Sequence, residues 1–258
     1  MNESGHWYTT TGEPMHFVPK AKGDGTRRTT ITDARKLGLL PSVTSVLGIL
    51  RKPALERWLI QQAVQAVVTA PDVPGESLDA KLERVLEVER QQDQESKNAM
   101  DLGTRIHEAL EQRLSSKPFD AVLADTIAPV VAEVARLGNV VATEKIVVGD
   151  GYAGKTDLVL SHPSGDLIVI DFKTTKKLPD KGSWPEKRLQ LVMYAKALAK
   201  PPAVVRMVGN IYISTTEPGK WCSYTWPDWE NDAEIGAMLV KIWQWQNQYV
   251  PNQGVTTA

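Results

Sequence analysis

The sequence predicts a mixed α/β fold: a small mixed β-sheet flanked by helices, with a helical region ahead of it. Two observations carry this. The first half is rich in helix signals, and near residue 140 the apolar period changes from that of a helix to that of a strand. From there the order reads β-β-β-α-β-α, which packs as one sheet with helices against it.

Residues 1–40 read as an irregular basic N-terminal arm. Gly23-Asp-Gly25 is turn-prone, and Lys20, Lys22, Arg27, Arg28, Arg35 and Lys36 face only Asp24 and Asp33. Such an arm is either solvated surface or a strip that touches phosphates. Residues 41–100 read as helical. Ser42 suits a helix cap, and Pro53 suits the first residue of the next helix. Pro71 and Pro74-Gly75 break that helix, and a long helix rich in Glu, Gln, Lys and Arg follows over 78–114, interrupted near 96–103. A further helix spans 120–137 and stops at Gly138.

Residues 101–250 then read as the core domain. Strands are expected over 144–148, 152–160 and 166–173, the last two joined by the turn Ser161-His-Pro-Ser-Gly165. A helix over 184–199 and an apolar, central strand over 204–214 come next. The last helix, 228–249, carries Ile235, Leu239, Ile242, Trp245 and Tyr249 on one apolar stripe, the side such a helix turns to its core. Residues 251–258 read as a flexible tail.

Composition narrows the function. Hydrophobic residues make up 42% and charged residues 24% of 258, ordinary for a globular protein. The net charge of −1 argues against a protein that coats nucleic acid, though not against a local basic track. With Cys222 the single cysteine, an internal disulfide and an all-cysteine metal site are excluded. No apolar run suits a membrane span, no signal pattern opens the chain, and a cytoplasmic location is the expectation.

The chemistry concentrates in Gly154-Lys-Thr-Asp157 and, thirteen residues on, Asp171-Phe-Lys173. On a strand, residues i and i+2 share a face, so Asp171 and Lys173 project together, and Asp157 reaches the same place from the partner strand. Two close carboxylates repel unless a cation lies between them, and hard oxygen ligands suit Mg²⁺ or Mn²⁺. The lysine can offset charge on a scissile phosphate or orient the attacking water. A surface salt bridge is the bland alternative; Gly154, which removes a side chain where something approaches closely, weighs against it. His107 is a candidate further metal ligand, since Gly103, His107 and Glu111 share a helix face. Glu144 is a candidate outer partner of the site, as are Glu108 and Glu111. Gln190 and Tyr194, one turn apart, are placed to hydrogen-bond and to pack over the site. The loop before them is basic; Lys176, Lys177, Lys181, Trp184 and Arg188 are candidate nucleic-acid contacts, with Trp184 either a stacking platform or a core residue.

In order along the chain, His107, Gly154-x-x-Asp157, Asp171-x-Lys173 and Gln190-x-x-x-Tyr194 resemble the PD-(D/E)XK nuclease superfamily, in the branch of the RecB nuclease domain and phage exonucleases. The run Thr29–Leu47 is similar to the N-terminal region of such phage enzymes. The resemblance implies a restriction-endonuclease-like core, with residues 41–100 arching over the site. It implies metal ligation by His107, Asp157 and Asp171, the Phe172 carbonyl as a further ligand, and Lys173 as the catalytic lysine. One or two Mg²⁺ (or Mn²⁺) ions are expected, and no iron–sulfur cluster. The sequence departs from the pattern in lacking a proline before Asp157 and in using Asp171 where a glutamate is common. The implied activity is a metal-dependent DNA exonuclease acting at single- or double-stranded ends, in phage-type recombination, replication or repair. A single-strand annealing recombinase is a candidate partner, and the cytoplasm of a bacterial host the candidate location. A structure-specific or nicking endonuclease, and a catalytically inactive DNA-binding partner of a recombinase, are the alternatives.

Overall fold

A computed structural model describes residues 6–50 and 53–251; the expected tail beyond Pro251 lies outside the described residues. The chain forms two compact units, residues 50–105 and the remainder.

The larger unit begins with β1 (Trp7–Tyr8), β2 (Phe17–Pro19), β3 (Thr26–Arg28), α1 (Ile31–Leu37), β4 (Leu40–Pro41) and α2 (Val43–Leu47). This corrects the expectation of an irregular arm. β1 pairs with β4 and β2 with β3. Trp7, Tyr8, Leu39 and Leu40 are buried, and that apolar area holds the segment down where its polar composition suggested a loose strip. α1 starts with a reciprocal capping box between Thr30 and Asp33, which satisfies two amides of its first turn. Ser42 caps α2 as expected, accepting from the Ser45 amide at 3.0 Å.

The smaller unit holds α3 (Pro53–Thr69) and the first part of α4 (Leu78–Leu114). Pro53 opens α3, as its fixed φ favours. The turn between the helices is tied by Arg84, whose guanidinium grips Glu76 at 2.7 and 2.8 Å and the Pro71 carbonyl at 2.9 Å. α4 is one continuous helix of 37 residues, without the expected interruption near 96–103. A glycine inside a helix costs only about 1 kcal/mol relative to alanine, and Gly103 is surrounded by good helix formers.

After α5 (Ala124–Leu137) come β5 (Asn139–Gly149), β6 (Tyr152–Ser161), β7 (Leu167–Thr175), α6 (Pro185–Leu198), β8 (Val205–Ser214), β9 (Trp221–Trp226) and α7 (Ala233–Asn247). The five sheet strands lie in the order β5-β6-β7-β8-β9. Neighbours are antiparallel except β7 and β8, whose parallel pairing requires the α6 crossover. β9 was not expected. α6 is buried on nearly every side, with Leu189 to Ala195 all enclosed. α7 is rotated from its expected setting: Ile235, Ile242 and Trp245 are exposed, while Leu239, Val240 and Trp243 are buried. Gly236 explains the rotation, because an added Cβ there would lie 3.1 Å from Met193 of α6; the close approach fixes which side of α7 faces inward. Among the described residues no helix is long and apolar enough to cross a membrane.

Candidate active site

The site forms where the β6–β7 ladder opens. Backbone pairing between these strands runs from Ser161↔Leu167 to Leu158↔Ile170. One step further, side chains take over. Asp157 Oδ2 accepts the Phe172 amide at 2.7 Å, and Thr156 Oγ1 donates to the Ile170 carbonyl at 3.3 Å. The strands are held together by a carboxylate, which places Asp157 beside the Asp171–Lys173 face.

Asp171 and Lys173 form an ion pair, as the i, i+2 spacing required. The Lys173 ammonium also donates to Gln190 Oε1 at 3.2 Å. Gln190 Nε2 in turn donates to the Tyr194 hydroxyl at 2.9 Å. A polar line therefore runs from Asp171 through Lys173 and Gln190 to Tyr194, joining strand β7 to helix α6. The ring of Tyr194 explains Gly154: a Cβ there would lie 2.6 Å from Tyr194 Cε1 and 3.2 Å from Val43. The close approach expected at Gly154 comes from protein, with the tyrosine ring as its occupant.

His107 meets the site from α4. Its Nδ1 lies 3.6 Å from Asp157 Oδ2, and its ring stands edge-on to Phe172 with centroids 6.2 Å apart. Burial lowers the His107 pKa, with Lys173 and Lys155 adding to the effect and Asp171 opposing it, so the imidazole is neutral near pH 7. Burial and then Asp171 push the Asp157 carboxyl up to about 7, against the opposing pull of Lys173 and the Phe172 amide. Burial disfavours the Lys173 charge, but Asp171, by charge and by hydrogen bond, outweighs it and raises the pKa. Tyr194 is held protonated by burial and by the nearby carboxylates.

Two neutral-pH observations fit a hard divalent cation. The imidazole is a neutral donor at 3.6 Å from a carboxylate oxygen, a separation two ligands of one small ion can share. The Asp157 carboxylate is also buried beside Asp171, and burial first and that neighbour second raise its pKa. Among the described residues, however, no three His, Cys, Asp or Glu side chains stand together as a ready-made cage. The ammonium of Lys173 takes up Asp171 instead.

The outer candidates divide. Glu144 falls opposite Asp157, between the pairs Thr143↔Leu158 and Lys145↔Thr156, and its φ of 50° is a left-handed conformation rare for a non-glycine residue. Its carboxylate pairs with Lys155. Glu108 is exposed and Glu111 half-buried, and neither bonds to the residues above. Lys176, Lys177 and Lys181 are exposed on the β7–α6 loop, and Trp184 is half exposed, edge-on to Tyr212 at 6.0 Å. Arg188, a further candidate for nucleic-acid contact, has partners within the protein. It is engaged by Asp232 and Asp228 and lies over the Trp226 ring at 5.5 Å, because the chain returns an acidic turn to the start of α6.

Three residues of the site escaped the sequence reading. Asn210 sits opposite Asp171 in the parallel β7–β8 register and is fully buried. Its Nδ2 lies 3.4 Å from Asp171 Oδ2, and its Oδ1 accepts from Ser183 at 3.0 Å. The Ser183 hydroxyl meets the Tyr212 hydroxyl at 2.7 Å. The signal for Asn210 was a lone amide in an otherwise apolar central strand, where a buried polar group needs a partner.

No curated protein matches the sequence. Among solved structures, one titled SSO0001 aligns with 21% identity and a TM-score of 0.28, over 47% of this chain and 60% of that one. The alkaline exonuclease LHK-Exo of Laribacter hongkongensis aligns with 11% identity and a TM-score of 0.39, over 80% of this chain and 84% of that one. The same enzyme in complex with dAMP gives 11% identity and a TM-score of 0.40. Superpositions this loose carry no inference about chemistry. The family profile is more direct: residues 120–237 match it, a span that includes Asp157, Asp171, Lys173, Gln190 and Tyr194 and leaves out His107. That profile describes the PD-(D/E)XK nuclease superfamily, and this span of the chain is similar to it.

Proposed function

We propose that this chain is a metal-dependent DNA exonuclease, hydrolysing phosphodiester bonds from DNA ends. The observation that carries the nuclease reading is the placement of Lys173. Its ammonium is fixed between Asp171 on its own strand and Gln190 on α6, next to Asp157 and His107. A structural salt bridge needs no histidine or second carboxylate beside it, whereas phosphodiester hydrolysis uses each. The preference for DNA ends rests on the motif order, which resembles the exonuclease branch.

His107, Asp157, Asp171 and the Phe172 carbonyl are the groups that would hold a divalent cation, Mg²⁺ or Mn²⁺. Bound there, such an ion supplies Lewis-acid stabilisation of the phosphate and makes water a better nucleophile near pH 7. The protein's own residues do the rest. Lys173 offers a fixed positive charge to the non-bridging oxygens, where negative charge grows in the transition state. Gln190 holds that ammonium in place at no reorganisation cost during the reaction. Tyr194, packed on Gly154 and bonded to Gln190, fixes the glutamine. Asn210 steadies Asp171 from the neighbouring strand.

The test is Lys173→Ala on end-labelled linear DNA, with Mg²⁺ and with chelator. Loss of one preorganised charge predicts a fall in turnover of about 100–1,000-fold with DNA binding kept, and a lower melting temperature, because the buried Asp171 loses its partner. Full cleavage by the variant overturns the role of the lysine. Closed circular DNA in parallel reads the end requirement: resistance supports an exonuclease, and nicking or linearisation overturns that part.

A further inference from the structure

A concentration of positive charge on the larger unit lies outside the nuclease motifs, on the β2–β3 hairpin. Between Phe17 and Arg28 the chain carries Lys20, Lys22, Arg27 and Arg28 against Asp24 alone, in a protein of net charge −1. Arg27 is committed to Asp33, which accepts it at 2.6 and 2.8 Å. Lys20, Lys22 and Arg28 are exposed, and none forms an ion pair with a described residue. Every residue of β3 is exposed. Phe17, directly across the ladder from Arg28, is 56% exposed, an aromatic ring and a guanidinium side by side on the surface.

The hairpin is firmly based. Val18 is buried, and the fully buried Thr29 donates its amide to the His16 carbonyl at 3.0 Å and its hydroxyl to the Met15 carbonyl at 2.6 Å. The base also stands close to the catalytic strand. His16 lies edge-on to Tyr8 at 5.1 Å, and Tyr8 packs with Leu40 on Ala153, the residue before Gly154. Lys155 is near enough to help lower the His16 pKa.

Unpaired cations cost solubility nothing but serve no fold here, since the hairpin is held by its backbone and by Val18, Thr29 and Arg27. Cations spaced along an exposed ladder beside an aromatic ring match a strand of alternating phosphates and bases. An acidic peptide would use the cations and leave the ring unexplained.

We propose that the β2–β3 hairpin grips the nucleic acid on its way to the site, with Lys20, Lys22 and Arg28 on phosphates and Phe17 stacked on a base. This rests on the nuclease reading above and deepens it by naming where the substrate is held.

The triple variant Lys20→Ala/Lys22→Ala/Arg28→Ala tests it, with a labelled single-stranded oligonucleotide followed by anisotropy in chelator at several salt concentrations. Affinity is expected to fall about tenfold or more at ~0.1 M salt. The slope of log affinity against log salt should shrink by about 2–3, the counterions of three phosphate contacts. Phe17→Ala should lose about tenfold with its salt slope unchanged, because stacking releases no ions. Turnover of bis(p-nitrophenyl) phosphate, too short to reach the hairpin, should match the parent in both variants. Parental affinity and slope in the triple variant overturn the hairpin's role and leave the nuclease reading standing. A parent that neither binds nor cuts DNA overturns both.

Discussion

Replacing Asp157 by asparagine should stabilise the metal-free protein above neutral pH, at the expense of its activity. The carboxyl ordinarily titrates near 3.8 and is raised to about 7 in the fold. The sign follows from linkage. Below about pH 4 the group is protonated in both folded and unfolded chains, so it contributes nothing. Between about 4 and 7 the folded chain keeps a proton that the unfolded chain has lost, so stability falls as pH rises. Above about 7 the full penalty is present: roughly 3 units at about 1.36 kcal/mol each, or at most about 4 kcal/mol. Asparagine is nearly isosteric and its carbonyl can still accept the Phe172 amide, whose pull on the carboxylate is already part of the net rise. The variant is spared that penalty, and about 4 kcal/mol for a domain of this size moves the melting temperature by at most about 8–16 °C. The assay is thermal melting of parent and Asp157→Asn in chelator from about pH 4 to pH 9. The curves should coincide at the acid end and separate with the variant higher at the alkaline end. Adding Mg²⁺ should raise the parent more than the variant, since binding to the folded state alone stabilises it. A variant that melts no higher than the parent at pH 8 would refute the claim that burial and Asp171 make the Asp157 carboxylate costly to the fold.

Other expected outcomes follow from single contacts. Gly154→Ala drives a Cβ to 2.6 Å from the enclosed Tyr194 ring, so it should cost about 1–3 kcal/mol in urea unfolding and lower turnover through Gln190 and Lys173. Asn210→Ala leaves Ser183 and Asp171 without their shared amide; a loss of about 1–3 kcal/mol is expected, together with a higher metal requirement for half-maximal cleavage. Arg188→Gln should lower stability by about 1 kcal/mol through Asp232 and Trp226, while oligonucleotide affinity by anisotropy stays at the parent value.

The legible parts of this site are those whose geometry is local. Asp171 and Lys173 share a face because two residues apart on a strand always do. Gln190 and Tyr194 meet because they are one helical turn apart, and Asp157 could be placed from the length of one turn. His107 is a longer reach, yet a histidine on an amphipathic helix invites a partner. Asn210 depends on strand order: only the parallel β7–β8 pairing brings it opposite Asp171, and periodicity carries no information about which strands are neighbours. The same holds for Arg188, whose acidic partners lie forty and more residues further on. α6 gave no stripe because it is buried all round, so apolar and polar residues alike face protein.

Charge counting misled most where backbone pairing decided the outcome. The N-terminal segment is basic, and that suggested a loose arm, but Trp7, Tyr8, Leu39 and Leu40 supply enough apolar area to order it. Once ordered, its cations acquire a meaning that a loose arm would lack. A mobile strip loses the entropy of every residue it immobilises on a ligand, whereas a hairpin fixed at Val18 and Thr29 has already done so on folding. The apolar residues that defeated the sequence reading are therefore what would let Lys20, Lys22 and Arg28 act together on the proposed ligand. Burying Tyr8 with Leu40 on Ala153 also carries the hairpin's base to the start of β6, the strand of Asp157.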